Sequence, residues 1–347
     1  MATTSASGTE FSGDLPIADG DAGAELPPGI GPWKLAWRRL RRNRLALFFG
    51  GVFLLIVVLC LLAPVYSHDV AHTGLADEHI SEKVNVGGQL QYVVSTTGIP
   101  IGPTWHSRFF LGADANGRDT AVRLLYGGRN SLEIGIIATL ITMVLALVLG
   151  VVAGYFRGVT DGVITRLLDV IWAYPAVLLG VALGVSLAVG GINFGLFTLS
   201  GSTLLVPAFV IGFVYIPYVA KPVRAQVLTL REREFVDAAR QQGLSHWRIM
   251  ISEILPNLAS TIIVFIPLIL ANAILLEAGL SYLGAGVQPP NPSWGTMISD
   301  GIATIPAAFH NVLVPGIMLV LAVLSINIFG DGLRDALDPR AKVRISH

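Results

Sequence analysis

Of the 347 residues, 53% are apolar and 13% are charged, and the mean hydropathy is +0.67. Soluble domains carry about 25% charged residues, so this composition places the chain in a membrane before any segment is examined. The net charge of zero argues for no anionic partner such as nucleic acid. None of the four lysines follows a glycine or precedes Ser or Thr, which excludes a Gly-x4-Gly-Lys-[Ser/Thr] phosphate loop, and the lone Cys60 excludes an internal disulfide.

Residues 1–32 carry five acids and no Lys or Arg among Gly, Ala, Ser and Pro, a composition that predicts a disordered tail. Residues 33–44 are basic and amphipathic, with Trp33 and Trp37 interleaved among Lys34, Arg38, Arg39, Arg41, Arg42 and Arg44. Because an apolar run follows at once, the pattern predicts a helix on the cytoplasmic lipid surface. Residues 45–66 hold no charge and are long enough to span a bilayer, too long for a cleaved leader, and lack a following Ala-x-Ala site.

Residues 67–131 form a long polar, extracytoplasmic loop. Gln89 to Val94 alternates weakly and predicts a strand. His68, His72 and His79 with Asp69 could hold a metal or simply be solvated. Asp114, Gly117, Arg118 and Asp119 read as a turn and ion-pair cluster, with Asp119 capping a short amphipathic helix that ends at Gly127-Gly128.

Five more apolar segments follow, at 132–156, 164–190, 204–221, 258–283 and 311–330. The expectation is an all-α polytopic membrane protein with six transmembrane helices, its core being 132–330 and its tail 331–347. Gly150 and Gly154 offer a small-x3-small face for close helix contact. The segment at 164–190 begins with Arg166 and Asp169 and carries Pro175, which predicts a kink. Lys and Arg are concentrated, 18 of 23, in the segments on the same side as the two termini. By the positive-inside rule both ends are cytoplasmic in the plasma membrane.

Residues 231–257 are a charged island on that same side. Good helix formers run to Gln242, Gly243 supplies a positive φ, Ser245 caps a second short helix, and Pro256 closes it. The product is two helices meeting at a corner, suited either to docking in a groove on another protein or to linking two spans. Farther on, Glu277 lies 20 residues beyond Asn257. That is about 30 Å at 1.5 Å per residue, the full hydrocarbon thickness. Glu277 therefore sits near the outer mouth, as a gate or as a structural pair.

Asp237-Ala238-Ala239, three residues, Gly243 and then Leu255-Pro256 resemble the EAA loop of binding-protein-dependent ABC importer permeases. Asp237 stands where that family usually has Glu, and Glu253 where it has an apolar residue. Leu111-Gly-x-Asp-x-x-Gly-Arg-Asp119, Glu277 to Gly286 with Pro289 to Gly295, and Asn327 to Arg340 are similar to the dipeptide, oligopeptide and nickel permeases, and among them to the C-type subunit.

The resemblance implies a permease without enzymatic activity. Its partners would be a second permease, two cytoplasmic subunits that bind ATP and magnesium, an extracytoplasmic solute-binding protein and membrane lipid. Phe235, Asp237, Ala238, Ala239, Gly243, Trp247, Leu255 and Pro256 would couple it to the ATPases. Glu277, Ser281 and Tyr282 would be candidates for the translocation path. The cargo would be a peptide, or nickel or another solute. An ion-coupled secondary transporter would want carboxylates or broken helices near the midplane; Glu277 lies too far out and no other acid sits mid-span. No His-Glu-x-x-His or Gly-x-Ser-x-Gly supports an intramembrane enzyme.

Overall fold

The structure, a computed structural model, describes residues 32–193 and 198–337. The acidic tail to residue 31 and the Asp338-Pro339-Arg340 end of the last motif lie outside the described residues. Helix α1 (Pro32–Leu40) takes up only part of the basic stretch. Asn43 ends it, because its Oδ1 accepts the Ala46 amide at 3.0 Å and caps α2 (Arg44–Leu61) instead. The expected single helix over 33–44 is thus a helix and a turn. Leu40 packs with Ala46, Phe329, Leu333 and Ala336. Trp33 and Trp37 stay exposed, with the Arg41 guanidinium 4.8 Å above the Trp37 ring.

The 67–119 stretch is a small folded unit. Strand β1 (Lys83–Val86) pairs antiparallel with β2 (Gln89–Tyr92), so the expected strand is found over its first four residues. The two-residue turn demands positive φ at both positions, and Gly87 (+61) and Gly88 (+88) provide it. Beneath the hairpin, Val93, Val94, Ile101, Phe109 and Ala113 form a core of their own.

Helix α3 (Thr120–Phe156) is 37 residues long and capped by Asp119 as expected. It does not stop at Gly127-Gly128. A Cβ on Gly128 would run into Cys60 Sγ and meet the Trp294 ring at 2.6 Å. The glycine pair lets neighbours approach rather than ending the helix. Near the other end, Gly150 and Gly154 meet Ala220, Val223, Arg224 and Val227, the close helix contact expected of them.

Next come α4 (Gly158–Trp172) and α5 (Ala176–Gly190), bent by 87° at Pro175. The proline has φ −56 and ψ 129, an extended conformation, and Tyr174 before it is disfavoured in a helix, so the expected kink is a full break. Helices α6 (Leu205–Val214) and α7 (Ile216–Leu230) are bent by 41° at Tyr215, and the segment expected to end at 221 runs on to Leu230. Then follow α8 (Glu234–Gln241), α9 (Ala259–Tyr282), α10 (Trp294–Gly301) and α11 (His310–Leu337). Among the described residues, α2, α3, α9 and α11 are the continuous helices long and apolar enough to cross a bilayer, and the two bent pairs qualify when each is counted whole. Helix α3 is central: α2, α6, α7 and α9 all pack on it.

Candidate functional site

The corner at 231–257 is built from backbone conformation first. Gly243 has φ +77. Its amide donates to the Arg240 carbonyl at 3.0 Å, and the Leu244 amide donates to the Ala239 carbonyl at 3.1 Å. This pair of bonds is the Schellman closure of a helix, which glycine permits. Ser245 then caps the next turn, its Oγ accepting the Arg248 amide at 3.4 Å. The second segment does not close at Pro256. It widens into a π turn over Ile249–Ile254, and Pro256 lies in the first turn of Leu255–Asn257, where its missing N–H is tolerated.

The corner is locked to the end of α3. Arg231 Nη1 donates to the Tyr155 carbonyl at 2.5 Å, and the Tyr155 hydroxyl bonds His246 Nδ1 at 2.9 Å. Arg157 pairs with Glu232. Val236, Ala239, Ile249, Met250, Ile254 and Leu258 join one core with Val227 and Tyr155, and Phe235 packs against it. Of the expected coupling residues, Phe235, Ala239 and Leu255 turn inward, while Asp237, Ala238, Gly243, Trp247 and Pro256 are exposed. Asp237 is held by Arg240 at 2.9 Å. Trp247 and Ile251 each expose 63% of their surface, leaving a small-residue step beside two bare apolar side chains. Tyr155 and Arg157, which anchor this step, carry no sequence signal because their partners lie about 75–90 residues away.

Glu277 is fully buried within the chain. Ser281 Oγ donates to its Oε1 at 2.6 Å and accepts the Val287 amide at 3.0 Å. The Ser131 and Ser293 hydroxyls lie beside the same carboxyl. Ser131 also accepts the Trp294 amide at 3.3 Å, and Ser293 the Thr296 amide at 3.1 Å. Glu277 therefore ties α9 to α3 and α10. Neither it nor Ser281 reaches an open surface of this chain, whereas Tyr282 does. Replacing Glu277 with Ala is expected to cost about 3 kcal/mol, since the buried Ser281 hydroxyl loses its acceptor and a cavity opens beside Ser131 and Ser293. Glu277→Gln, which keeps the shape and an acceptor, should cost well under half of that. Both are read as thermal stability of the purified complex, and equal losses would contradict the tie.

At the same end of the molecule, Asp114 accepts the Asn116 and Arg118 amides at 2.9 and 3.0 Å, and Arg118 Nε at 2.7 Å. Gly117 has φ +72, and a Cβ there would strike the Ile80 amide at 2.7 Å. Asp119 accepts the Ala121, Val122 and Phe109 amides at 2.8, 3.2 and 2.7 Å. Burial pushes its carboxyl above the ordinary value, against the opposing pull of those amides and of Arg108. The turn and ion-pair reading of the motif thus holds. It also gains members the sequence did not reveal: Arg123, almost fully buried, and Asp300, 3.5–3.6 Å from Arg123 and Arg118. Burial raises the Asp300 carboxyl, partly offset by those two arginines. Asn311 completes the latch, accepting from Thr120 at 3.1 Å and donating to the Ala113 carbonyl at 3.0 Å. The histidines take separate partners: His68 meets Asp69 at 2.6 Å, and His79 meets Glu82 at 2.9 Å. Among the described residues no group of three or more His, Cys, Asp or Glu is placed to hold a metal.

Two family patterns match the chain. Residues 146–343 match the binding-protein-dependent transport system inner membrane component, and residues 31–80 the N-terminal TM domain of oligopeptide transport permease C. The dipeptide transport system permease protein DppC of Alkalihalophilus pseudofirmus is 34% identical, over 90% of this chain and 91% of its own length. The glutathione transport system permease protein GsiD of Salmonella typhimurium is 36% identical over 90% and 91%. Among solved structures, a chain from the inward-facing MetNI methionine ABC transporter aligns with 62% of this chain and 96% of its own, at TM-score 0.49 and 17% identity. The chain belongs to the binding-protein-dependent transport system inner membrane components: it is a multi-pass permease of an ABC importer and not itself an enzyme, ATP hydrolysis residing in separate subunits.

Proposed function

We propose that the chain is the C-type member of a permease pair that imports peptides. The two relatives named above are a dipeptide and a glutathione permease, each matched over nine-tenths of its length, which supports a peptide cargo. On this reading the bent pairs α4–α5 and α6–α7 each count as one span, both termini are cytoplasmic, and 18 of the 23 basic residues lie on that side. A second permease completes the path, and a solute-binding protein delivers cargo from outside. Two ATPase subunits, which hold ATP and magnesium, receive the corner.

The observation that carries the proposal is the corner itself. Exposed Ala238 and Trp247 stand on a segment pinned to α3 through Tyr155, so force applied there moves the core and not merely a loop. Closure of the ATPases would then drive alternation between outward- and inward-facing states. Cysteine at Ala238, in a Cys60→Ser background, is expected to cross-link to the groove of the ATPase subunit, with a yield that changes when vanadate traps the closed state. The complex in proteoliposomes should import dipeptides when the binding protein is present. Absence of any cross-link would refute the docking, and uptake of a nickel chelate but no peptide would refute the cargo.

A further inference from the structure

Lys221 and Asp169 sit where charges are costly. The last charge on α3 before its C-terminal end is Glu133, so residues 134–156 mark the hydrocarbon depth. Ala220 touches Gly150, six residues from the end of that stretch, which is about 9 Å. Lys221 itself lies three residues before Arg224, the next charge on α7, which is about 4.5 Å. Lys221 is therefore roughly 5–9 Å inside the nearer edge of the apolar layer, with Asp169 beside it. Lys221 Nζ and Asp169 Oδ1 are 2.6 Å apart, yet Asp169 is 56% exposed on the surface of this chain.

A structural staple between α4 and α7 already exists. Arg224 donates to both oxygens of half-buried Asp161, at 2.5 and 2.6 Å. Lys221–Asp169 is different: a single contact, open on one side and walled by aromatic rings. Lys221 Nζ stands 3.9 Å from the centre of the Trp172 ring, and Trp172 stacks on Tyr218 at 5.1 Å. Trp172, Tyr174 and Tyr218 all present open surface, the first and second at the break before Pro175. An open ion pair at this depth faces lipid, another protein or water. Lipid is the most costly of the three, and intramembrane charges of this kind mark transport paths.

We propose that Asp169 and Lys221, with Trp172, Tyr174 and Tyr218, form a way-station on the translocation path that receives the two charged ends of a peptide. This rests on the peptide reading above. Asp169 and the aromatic faces suit an ammonium group, and Lys221 suits a carboxylate. With no cargo present the two side chains neutralise each other. A zwitterion exchanges that internal pair for two external ones and leaves no net charge behind. The exchange is nearly balanced, which favours passage over retention.

The test uses the assembled transporter in vesicles, in a Cys60→Ser background. Tyr218→Cys is compared with Leu54→Cys, which lies on the exposed face of α2. Tyr218→Cys should react with a charged, membrane-impermeant methanethiosulfonate, and millimolar dialanine should slow it about tenfold, the effect of roughly 1.4 kcal/mol of occupancy. Leu54→Cys should react only with a lipophilic maleimide. Tyr218→Cys behaving like Leu54→Cys, or becoming unreactive on assembly, would overturn the proposal in favour of a lipid or subunit contact.

In a second arm, the neutral pair Asp169→Asn/Lys221→Met should assemble but import dialanine about tenfold more slowly. The exchanged pair Asp169→Lys/Lys221→Asp should not restore the rate. Restoration by the exchange would make the pair a staple and overturn the proposal. If wild type imports peptide while Tyr218→Cys fails the test, only the way-station falls. If wild type imports no peptide although Tyr218→Cys takes the charged reagent, the peptide reading falls.

Discussion

A transporter carrying Gly243→Trp should insert, keep its own helices packed and import almost nothing. The effect divides in two. Within the chain, a Cβ at Gly243 meets no atom within 4 Å, so folding bears only the strain of φ +77. That strain is about 1–2 kcal/mol for a residue with a side chain. Outside the chain, the added ring projects from the exposed corner into the space the proposed ATPase partner would occupy. Losing a well-packed docking contact costs about 3 kcal/mol, or roughly 100-fold in coupled uptake. Gly243→Ala is the calibrator: it carries the same backbone strain with little bulk, and uptake should fall only a few-fold. Uptake and ATPase rate in proteoliposomes, beside the size-exclusion profile, separate the two contributions. A fully active Gly243→Trp would mean that nothing docks at the corner.

Trp294→Ala should produce the largest loss of stability. The indole is fully buried where α2, α3 and α10 meet, and its Nε1 donates to the Leu124 carbonyl at 3.2 Å. Truncation of a buried Trp costs about 3–5 kcal/mol. The expected readout is aggregation at a temperature where wild type stays monodisperse. Gly128→Leu should be destabilising by itself, about 1–3 kcal/mol, because its Cβ runs into the same ring and Cys60. Combined, the two changes should cost less than their sum, since the new leucine enters the space the indole leaves. Strict additivity would show that the ring and Gly128 do not share one packed site.

Much of the architecture was legible because hydropathy and capping are local. The charge-free runs matched α2, α9 and α11 within a few residues at their N-terminal ends, and Asp119, Gly243 and Ser245 do the end-of-helix work their side chains or lack of one suggest. What failed depended on contacts at long range. Gly127-Gly128 looks like a stop until Trp294 and Cys60 are seen pressing against it. Pro175 announces a kink, but nothing local sets the angle at 87°. Asn43 caps α2 with its side chain, a role that its place in the basic run does not announce, so the basic helix is shorter than its composition suggests. The candidate site divides the same way. The corner could be drawn from its own residues, whereas Glu277 could not be assigned, because Ser131 and Ser293 approach it from α3 and the start of α10.

Helix α3 has one more implication. Its 37 residues reach about 55 Å and contain no proline, and they run from the latch at Asp119 to the anchor at Tyr155. A rod of that length exceeds a hydrocarbon layer of about 30 Å, and its excess lies at the Asp119 end. Tipping it by about 5° sweeps its far tip through roughly 5 Å, so the two aqueous compartments are in mechanical communication through a single unbroken part.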